Sequence, residues 1–210
     1  MKKIRIKSDR SYEVLIGASW QDEFSRLRRE HQRVLLIVPS KLRSFVKDLK
    51  GVDVLLVPDA ELQKDAKVLS KIWDKCAEIG LKRDDAIVAI GGGATTDLAG
   101  FAAATWLRGI AWYAFPTSLA GAVDAAIGGK TGINSRHGKN LIGSFYSPSK
   151  VVIDLKFFTS LSKRDISAGL AEVVKAGFIA DKKILQLVED RKSTRLNSSH
   201  IPLSRMPSSA

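Results

Sequence analysis

Cysteine is almost missing from this sequence. Cys76 is the only one in 210 residues, which excludes an intramolecular disulfide and is typical of a protein in a reducing compartment. It lies in a helical pattern, and we expect it to be a small core residue. The first seven residues alternate charge with isoleucine and lack the apolar block of a signal peptide. These features predict a cytoplasmic protein.

An unbroken apolar run of membrane-spanning length is also lacking. The most apolar stretch, residues 110–127, is interrupted by Pro116, Thr117, Ser118 and Asp124. A spanning helix needs about 20 predominantly apolar residues. We therefore expect no membrane span and no membrane partner.

Clustered basic charge is the third absence, although the formal net charge is +12. The 34 lysines and arginines are spread over the whole length, without an arginine-rich helix, a zinc-finger spacing or basic residues interleaved with aromatic ones. This distribution argues against a nucleic-acid partner. It suits a small anionic substrate and the phosphates of a dinucleotide.

Apolar runs and amphipathic segments alternate along the chain, which predicts an α/β fold with a mostly parallel, Rossmann-like sheet covered on both faces. We expect a hairpin over residues 4–16, and then buried strands over 34–38, 52–57, 86–90, 111–115 and 151–155. Helices are expected over 20–30 and 67–79, and an alanine-rich helix opening near residues 95–97. A family resemblance carried by four segments of the chain implies that this sheet domain is followed by the start of an all-α domain.

Glycines follow the predicted strand 86–90 directly. The turn formed by Gly91, Gly92 and Gly93 would let backbone amides approach a pyrophosphate at a helix N-terminus, although three glycines can also serve only as a tight turn. Asp97 either caps this helix or binds a ribose or nicotinamide group. Thr117 and Ser118, after the next strand, either cap a helix or contact a ligand at the carboxyl edge of the sheet.

Charge reappears after a nearly uncharged apolar segment. Residues 98–129 contain only Arg108 and Asp124 as formal charges, and the glycine-rich segment that follows holds Lys130, Lys139 and Asn140. Charged groups are costly in core-like sequence unless a ligand uses them. We expect a cationic, loop-borne pocket here.

The helix predicted from residue 162 is apolar almost all round and should be buried. Ser162 and Asp165 have the spacing of a capping box. Glu172 and Lys175 lie three residues apart, and so on one face. They form either a buried ion pair or separate sites, in which Glu172 binds a metal cation and Lys175 faces a substrate anion. One carboxylate is not a metal site, so further ligands, histidines above all, are expected elsewhere.

Apolar periodicity ends near Glu189. The run from Asp190 onward resembles the conceptual translation of a sequencing adapter, so we expect a non-native, disordered tail over residues 190–210. The predicted domains are a nucleotide-binding domain at 1–160 and the first part of a truncated helical domain at 161–189.

Four segments together resemble the 3-dehydroquinate synthase family, a branch of the sugar phosphate cyclases. They are GGGATTDLAGFAAATWLRG, FPTSLAGAVDAAIGGKTGIN, GKNLIGSFYSPS and SAGLAEVVKAG. The resemblance implies a lyase of the shikimate pathway and aromatic amino acid biosynthesis, with NAD and a divalent metal, zinc or cobalt, as cofactors. Its substrate would be the sugar phosphate 3-deoxy-D-arabino-heptulosonate 7-phosphate, and the intact protein would be a homodimer.

The resemblance also implies roles for individual residues. The expected cofactor contacts are Asp59, Glu61, Lys64, Gly92, Gly93, Asp97, Thr117, Ser118, Asp124, Lys130, Lys139, Phe157, Phe158, Thr159, Ser160 and Asp165. The expected catalytic or substrate-binding residues are Lys130, Asn140, Lys175 and Arg108, the last reaching the neighbouring subunit's substrate, and the expected metal ligand is Glu172. The sequence departs from the family pattern at Ala60, usually glycine, at Asp165, usually glutamate, and at Pro39–Ser40, often an acidic or amide contact to the adenosine ribose.

Two enzymes with related architecture compete with this interpretation. Another sugar phosphate cyclase would make a cyclitol with the same cofactors, and a metal-dependent polyol dehydrogenase would also have the glycine turn. The segments GGKTGIN and GKN argue against the dehydrogenase. A third alternative is a noncatalytic NAD-binding fragment, and we expect the 210-residue chain by itself to be inactive.

Overall fold

A seven-stranded sheet organises the chain, for which a computed structural model describes residues 1–8 and 10–196, with side chains as far as residue 190. The sheet strands are β1 (Lys2–Ile6), β2 (Tyr12–Ile16), β3 (Val34–Pro39), β4 (Asp53–Val57), β5 (Ala86–Gly91), β6 (Ala111–Pro116) and β9 (Lys150–Ile153). Their order is β1-β2-β9-β6-β5-β3-β4. Only β1 and β2 pair antiparallel, and every other pair in this sheet is parallel. The predicted α/β class and the N-terminal hairpin are confirmed.

Helices follow most of the parallel strands. They are α1 (Trp20–Glu30), α2 (Arg43–Val46), α3 (Ala66–Glu78), α4 (Gly93–Thr105), α5 (Lys163–Ile179) and α6 (Lys183–Leu196). The predicted bounds of α1 are confirmed, and those of α3 differ by one residue at each end. Helix α4 begins earlier than predicted, because Gly92 rather than Asp97 is its N-cap residue.

Two hydrophobic clusters cover the two faces of the sheet. Leu35 and Ile87 belong to one cluster, whereas Leu36 and Val88 belong to the other. Successive side chains of a strand point to opposite faces, so these apolar runs fill both layers at once. Cys76 is fully buried in the first cluster, and burial raises its pKa to about 12. It is the core residue that the sequence predicts.

The segment expected as a loop forms a separate hairpin instead. Strands β7 (Lys130–Ser135) and β8 (Gly138–Phe145) pair antiparallel, with Gly132 opposite Gly143. A Cβ atom at Gly132 would lie 2.5 Å from the carbonyl oxygen of Ile142, so the two backbones approach too closely for a side chain. The glycines that suggested a loop in fact permit this close pairing.

The chain divides into two compact units, Met1–Gly169 and Leu170–Ala210, and the division falls within α5. The serine half of the capping box that opens α5 is confirmed, because the backbone N–H of Asp165 donates to Ser162 Oγ at 3.1 Å, while Ser162 Oγ donates to Asp165 Oδ2 at 2.6 Å. The expected burial of this helix is wrong for the present chain, since Phe178 is 75% and Ile179 78% exposed. Their apolar side chains lack a covering surface among the described residues.

The second unit also bears on the expected tail. Helix α6 continues to Leu196, past Asp190 where the disordered tail was predicted to begin. The rest of that tail, residues 197–210, lies outside the described residues. Within the described part of the chain, no helix combines the length and the apolar character that a membrane crossing requires.

Candidate active site

The turn between β5 and α4 is the first part of the candidate site. Gly92 is the N-cap residue of α4, no side chain of the described residues caps this end, and the first turn contains no acidic residue. The backbone N–H of Thr117 donates to the carbonyl of Gly91 at 2.9 Å, which fixes the end of β6 beside the turn. An uncapped helix N-terminus at the carboxyl edge of a parallel sheet favours an anion.

Close backbone packing explains why glycine occupies this turn. A Cβ atom at Gly93 would lie 2.9 Å from the Cβ of Ala125, and one at Gly92 would lie 3.2 Å from Ser118 Oγ. Ser118 Oγ accepts a hydrogen bond from the N–H of Gly121 at 3.2 Å, so its capping role is confirmed. Thr95 Oγ1 is buried here without a hydrogen-bond partner among the described residues.

A charged cluster centred on the buried Lys64 forms the second part. Lys64 Nζ lies 2.6 Å from Asp97 Oδ2, and only 4% of the Lys64 side chain is exposed. The same ammonium group donates to Asn140 Oδ1 from the other side. Three residues far apart in the sequence, all expected site residues, thus meet beside the first turns of α4. Asp97 pairs with Lys64 rather than capping the helix.

Burial dominates the electrostatics of Asp97. Loss of solvent raises its pKa above the ordinary 3.8, and the hydrogen bond and charge of Lys64 lower it by less. An ionised carboxylate at this place therefore costs free energy in the folded state. A residue that costs stability in a cavity is a candidate for a functional role.

Asn134 is a polar residue that sequence reasoning missed. Its Nδ2 donates to Glu61 Oε1 at 2.7 Å, and its Oδ1 accepts from the backbone N–H of Asn140 at 2.9 Å. Its own backbone N–H donates to the carbonyl of Lys64 at 2.9 Å. Nothing in the residue type or spacing of Asn134 indicates this role, because all of its partners come from tertiary pairing.

A cavity of about 430 Å³ lies beside this cluster, lined by Asp97, Asp124, Ala125, Lys130, Thr131, Gly132, Asn140, Leu141, Gly143, Ser144 and Phe145. Lys130 Nζ lies 4.0 Å from Asp124 Oδ1, and the lysine side chain is 69% exposed. The cavity thus presents an accessible cation, two carboxylates and an amide. Lys130 and Asn140 are held by hairpin strands instead of the expected loop.

Other expected site residues lie elsewhere in the first unit. Asp59 accepts a hydrogen bond from the backbone N–H of Lys41 at 2.9 Å, beside Pro39 and Ser40 at the end of β3. Lys139 is exposed on β8 and is absent from the cavity lining. Arg108 is exposed and has a φ of +64°, a strained conformation for a non-glycine residue.

The segment after β9 takes a structural place. Phe157 is 3% exposed and its ring lies 6.1 Å from the ring of Trp20, within the second hydrophobic cluster. Thr159 Oγ1 and Ser160 Oγ donate to backbone carbonyls of the same turn, at 2.8 and 3.1 Å. Phe158 packs partly buried against both clusters. These four residues do not line the cavity.

Glu172 and Lys175 belong to the second unit. They form an ion pair with each other along one face of α5, with side chains 31% and 54% exposed, so the ion-pair alternative is present but is not deeply buried. In the described part of the chain, no group of three or more histidine, cysteine, aspartate or glutamate side chains is placed to hold a metal ion. Glu172 is at most one ligand of such a site.

Comparison with known proteins identifies the family. The family model described as "3-dehydroquinate synthase N-terminal" matches residues 54–168, more than half of the chain. The chain belongs to the 3-dehydroquinate synthase family. The match includes both parts of the candidate site, from Asp59 through the glycine turn to the β7–β8 hairpin.

Curated 3-dehydroquinate synthases match most of the chain. Those of Mycolicibacterium vanbaalenii and Mycobacterium leprae are 48% and 47% identical over 195 residues, covering 89% of this chain and 54% of each relative. That of Thermobifida fusca is 48% identical, covering 90% of this chain and 54% of the relative. The chain spans about half the length of the curated relatives it matches.

Solved structures of sugar phosphate cyclases share the fold. A 2-deoxy-scyllo-inosose synthase complexed with carbaglucose-6-phosphate, NAD+ and Co2+ has a TM-score of 0.74 and 28% identity, covering 83% of this chain and 51% of that one. The 2-epi-5-epi-valiolone synthase of Streptomyces hygroscopicus, with NAD+ and Zn2+ bound, has a TM-score of 0.79 and 26% identity, covering 92% and 57%. A probable glycerol dehydrogenase of Sinorhizobium meliloti, at 20% identity and a TM-score of 0.62 over 79% and 45% of the chains, shares the fold alone.

Proposed function

We propose that this chain is the nucleotide-binding part of a 3-dehydroquinate synthase. The intact enzyme converts 3-deoxy-D-arabino-heptulosonate 7-phosphate to 3-dehydroquinate with release of phosphate, in the shikimate pathway. The observation that supports this most directly is the contact of the buried Lys64 with Asp97 and Asn140 beside the glycine turn, since these two residues line one cavity with Asp124 and Lys130. Curated relatives near 48% identity that bear this name support the same conclusion.

NAD fits the residues at the glycine turn. Side chains at Gly92 and Gly93 would fill space against Ser118 and Ala125, so the backbone can approach a pyrophosphate there. The buried Thr95 Oγ1, unpartnered among the described residues, adds a polar group near the same helix end. When bound, NAD would supply the transient oxidation of a ring hydroxyl and its later reversal. Sugar phosphate cyclases with the same fold contain NAD+.

Acidic and amide groups would orient the cofactor. Asp97 would accept hydrogen bonds from ribose or nicotinamide groups, and the ammonium group of Lys64 offsets part of its charge. Glu61, in the turn before α3, would contact the cofactor together with Lys64. Asp59 would contact the adenosine ribose, because it lies against the backbone that follows β3, where the sequence has Pro39–Ser40 instead of an acidic residue.

The cationic side of the cavity would hold the substrate. Lys130 is accessible in the cavity and is suited to offset the negative charge of a phosphate leaving group, and Lys139, on the same hairpin but outside the cavity lining, would add positive charge nearby. Asn140 would position a substrate hydroxyl, and Lys175 would bind the substrate from the helical domain. Arg108 would reach the substrate phosphate of a neighbouring subunit in a homodimer. We assign no protein side chain as general base.

A divalent cation, zinc or cobalt, completes the proposal, with Glu172 as one ligand. The described residues do not assemble a metal site, since no group of three suitable side chains occurs among them. We therefore propose that the 210-residue chain by itself binds NAD but is catalytically inactive. The remaining ligands would come from the half of the relatives' length that this chain does not match.

A cyclitol synthase is the second candidate, because the solved neighbours include 2-deoxy-scyllo-inosose and 2-epi-5-epi-valiolone synthases. Their identity to this chain, 28% and 26%, is well below that of the curated 3-dehydroquinate synthases. A polyol dehydrogenase shares only the fold, and would accumulate NADH.

Product analysis of the full-length protein tests the proposal. The protein is incubated with NAD+, zinc or cobalt, and 3-deoxy-D-arabino-heptulosonate 7-phosphate, while inorganic phosphate and NADH are followed together. Phosphate release with formation of 3-dehydroquinate and without net NADH supports the proposal. Turnover only of a hexose phosphate or another heptulose phosphate identifies a cyclitol synthase, and net NADH formation from a polyol identifies a dehydrogenase.

A further inference from the structure

Asn134 connects two elements that both contribute to the candidate site. Its side-chain amide donates to Glu61 on the turn before α3 and accepts from the backbone of Asn140 on β8. The orientation of this amide is unambiguous, because an ionised carboxylate only accepts and a backbone N–H only donates. Asn134 itself is half-buried, whereas both bonds lie at the exposed side of the cluster.

The hydrogen bond from the backbone N–H of Asn140 to Asn134 supports an unusual backbone conformation. Asn140 has a φ of +57°, which asparagine tolerates better than most residues but which still needs support. In this conformation its Oδ1 accepts a hydrogen bond from the ammonium group of Lys64. The carbonyl of Lys64 in turn accepts the backbone N–H of Asn134 at 2.9 Å.

We infer that Asn134 is a positioning residue, which holds Asn140 and Lys64 in the geometry that binds the nicotinamide cofactor and the substrate. The identity of the ligands that Lys64 and Asn140 contact rests on the proposed function, whereas the positioning role of Asn134 does not. Asn134 itself is absent from the cavity lining, so it acts through these two side chains.

Substitution Asn134→Asp separates this role from simple packing, because the shape is kept and only the donor to Glu61 is lost. Two carboxylates would then face each other across the present 2.7 Å contact, and like charges at that separation repel. The matched rescue variant adds Glu61→Gln, whose amide donates to the introduced carboxylate and restores the bridge with the donor on the opposite side.

The first measurement is the rate at which acetic anhydride acetylates Lys64 in the native chain, followed by mass spectrometry. Lys64 is shielded and doubly bonded, so we expect Asn134→Asp to speed its acetylation about tenfold, because loss of the charged hydrogen bond between Asn134 and Glu61 loosens the backbone that holds Lys64 and Asn140. Exposed Lys71 on α3 is the internal control and should not change. The double variant should return Lys64 toward the original rate.

An unchanged Lys64 rate overturns the inference, and so does an increase shared with Lys71, which would report general loosening. Failure of the double variant to protect Lys64 also overturns it. The second measurement is NAD+ titration of the same variants, where Asn134→Asp should weaken binding several-fold and equal affinity would contradict the inference. Absence of NAD+ binding in the unsubstituted chain would instead refute the proposed function, while the Lys64 rates still decide the positioning role.

Discussion

Asp97 Oδ2 and Lys64 Nζ lie 2.6 Å apart, yet the pKa of Asp97 is raised, because the loss of solvent outweighs the attraction of the lysine. The pair therefore does not compensate fully for its own burial. Retention of an ionisable group at such a place is the behaviour of a residue kept for binding at some cost to stability.

Asp97→Asn should consequently impair cofactor binding more than stability. A carboxyl whose pKa is raised by folding stabilises the folded state most when it is protonated, and this contribution is lost as the pH rises from the ordinary 3.8 through the raised value. Relative to the asparagine variant, the original chain should become less stable over that rise. NAD+ affinity of the variant should fall about tenfold, for one lost hydrogen bond to a charged group.

Urea denaturation of both proteins at several pH values, with NAD+ titration at neutral pH, measures the two effects. If the asparagine variant instead lost stability relative to the original as the pH rose, the ion pair would outweigh burial and this account of Asp97 would be wrong.

The glycine turn offers a matched pair of substitutions. Gly91→Ala should destabilise the fold by about 1–3 kcal/mol, because the new Cβ would overlap the fully buried side chain of Thr95. Gly92→Ala should cost much less, since its Cβ would meet only the side chain of Ser118, with Oγ at 3.2 Å, and its φ of −74° suits alanine.

The effect of Gly92→Ala on cofactor affinity should be large, although its effect on stability is small. Gly92→Ala fills space that a pyrophosphate needs, so its NAD+ affinity should fall about tenfold or more even though the protein stays folded. Thermal unfolding and NAD+ titration of both variants check this. Unchanged NAD+ affinity in Gly92→Ala would show that the pyrophosphate does not bind at this turn.

Ala60 has a φ of +52°, which explains why glycine is usual at this position in the resembled motif. A left-handed backbone conformation costs a non-glycine residue about 1–2 kcal/mol. Substitution by glycine removes this strain, but the greater entropy of the unfolded chain cancels part of the resulting stabilisation. Ala60→Gly should thus stabilise the fold by about 0.5–1 kcal/mol.

The control for this substitution is Ala77→Gly, at an exposed helical position of α3, which should destabilise by up to about 1 kcal/mol. Equilibrium denaturation of both variants compares them directly. If both variants were destabilised to the same extent, the backbone at Ala60 would not be strained.

Lys130 should matter for turnover but not for folding. Its side chain is 69% exposed and 4.0 Å from Asp124, so Lys130→Ala should change the free energy of unfolding by less than about 0.5 kcal/mol. In the full-length protein the same substitution should lower kcat about 10²–10³-fold, as for other groups that stabilise developing charge.

Phosphate release by the full-length variant tests this, with Lys71→Ala as the control for loss of an exposed lysine outside the cavity. Equal turnover of the two variants would exclude Lys130 from the reaction.

The sheet was predictable because its strands are short apolar runs buried on both faces. Residues 34–38 and 86–90 have no polar member, and only a parallel strand or a buried helix accommodates such runs. The hairpin β7–β8 gave no such signal, since its apolar residues are few and Gly132 and Gly143 are typical of turns. Their role appears only when the opposite strand is in place.

The site was predictable where the segments that carry the family resemblance include its residues. Lys64, Asp97 and Asn140 were expected in the site from the family resemblance, and the structure brings them into contact. Phe157 was expected beside the cofactor and packs against Trp20, because an aromatic ring satisfies a core as well as a ligand. Asn134 had no signal, because Glu61 and Lys64 become its neighbours only through pairing distant in sequence, and Asn140 only through the β7–β8 hairpin.

The order of the sheet affects how this protein can be made. Strand β2 pairs with β9, so that Glu13 faces Lys150, while β3, β4 and β5 pair among themselves. During synthesis on the ribosome, the edge of β2 that pairs with β9 therefore stays uncovered until Ile153 has emerged. Through that interval the nascent polypeptide exposes Val14 and Leu15, which makes this early segment the place where a chaperone would bind or where aggregation would begin.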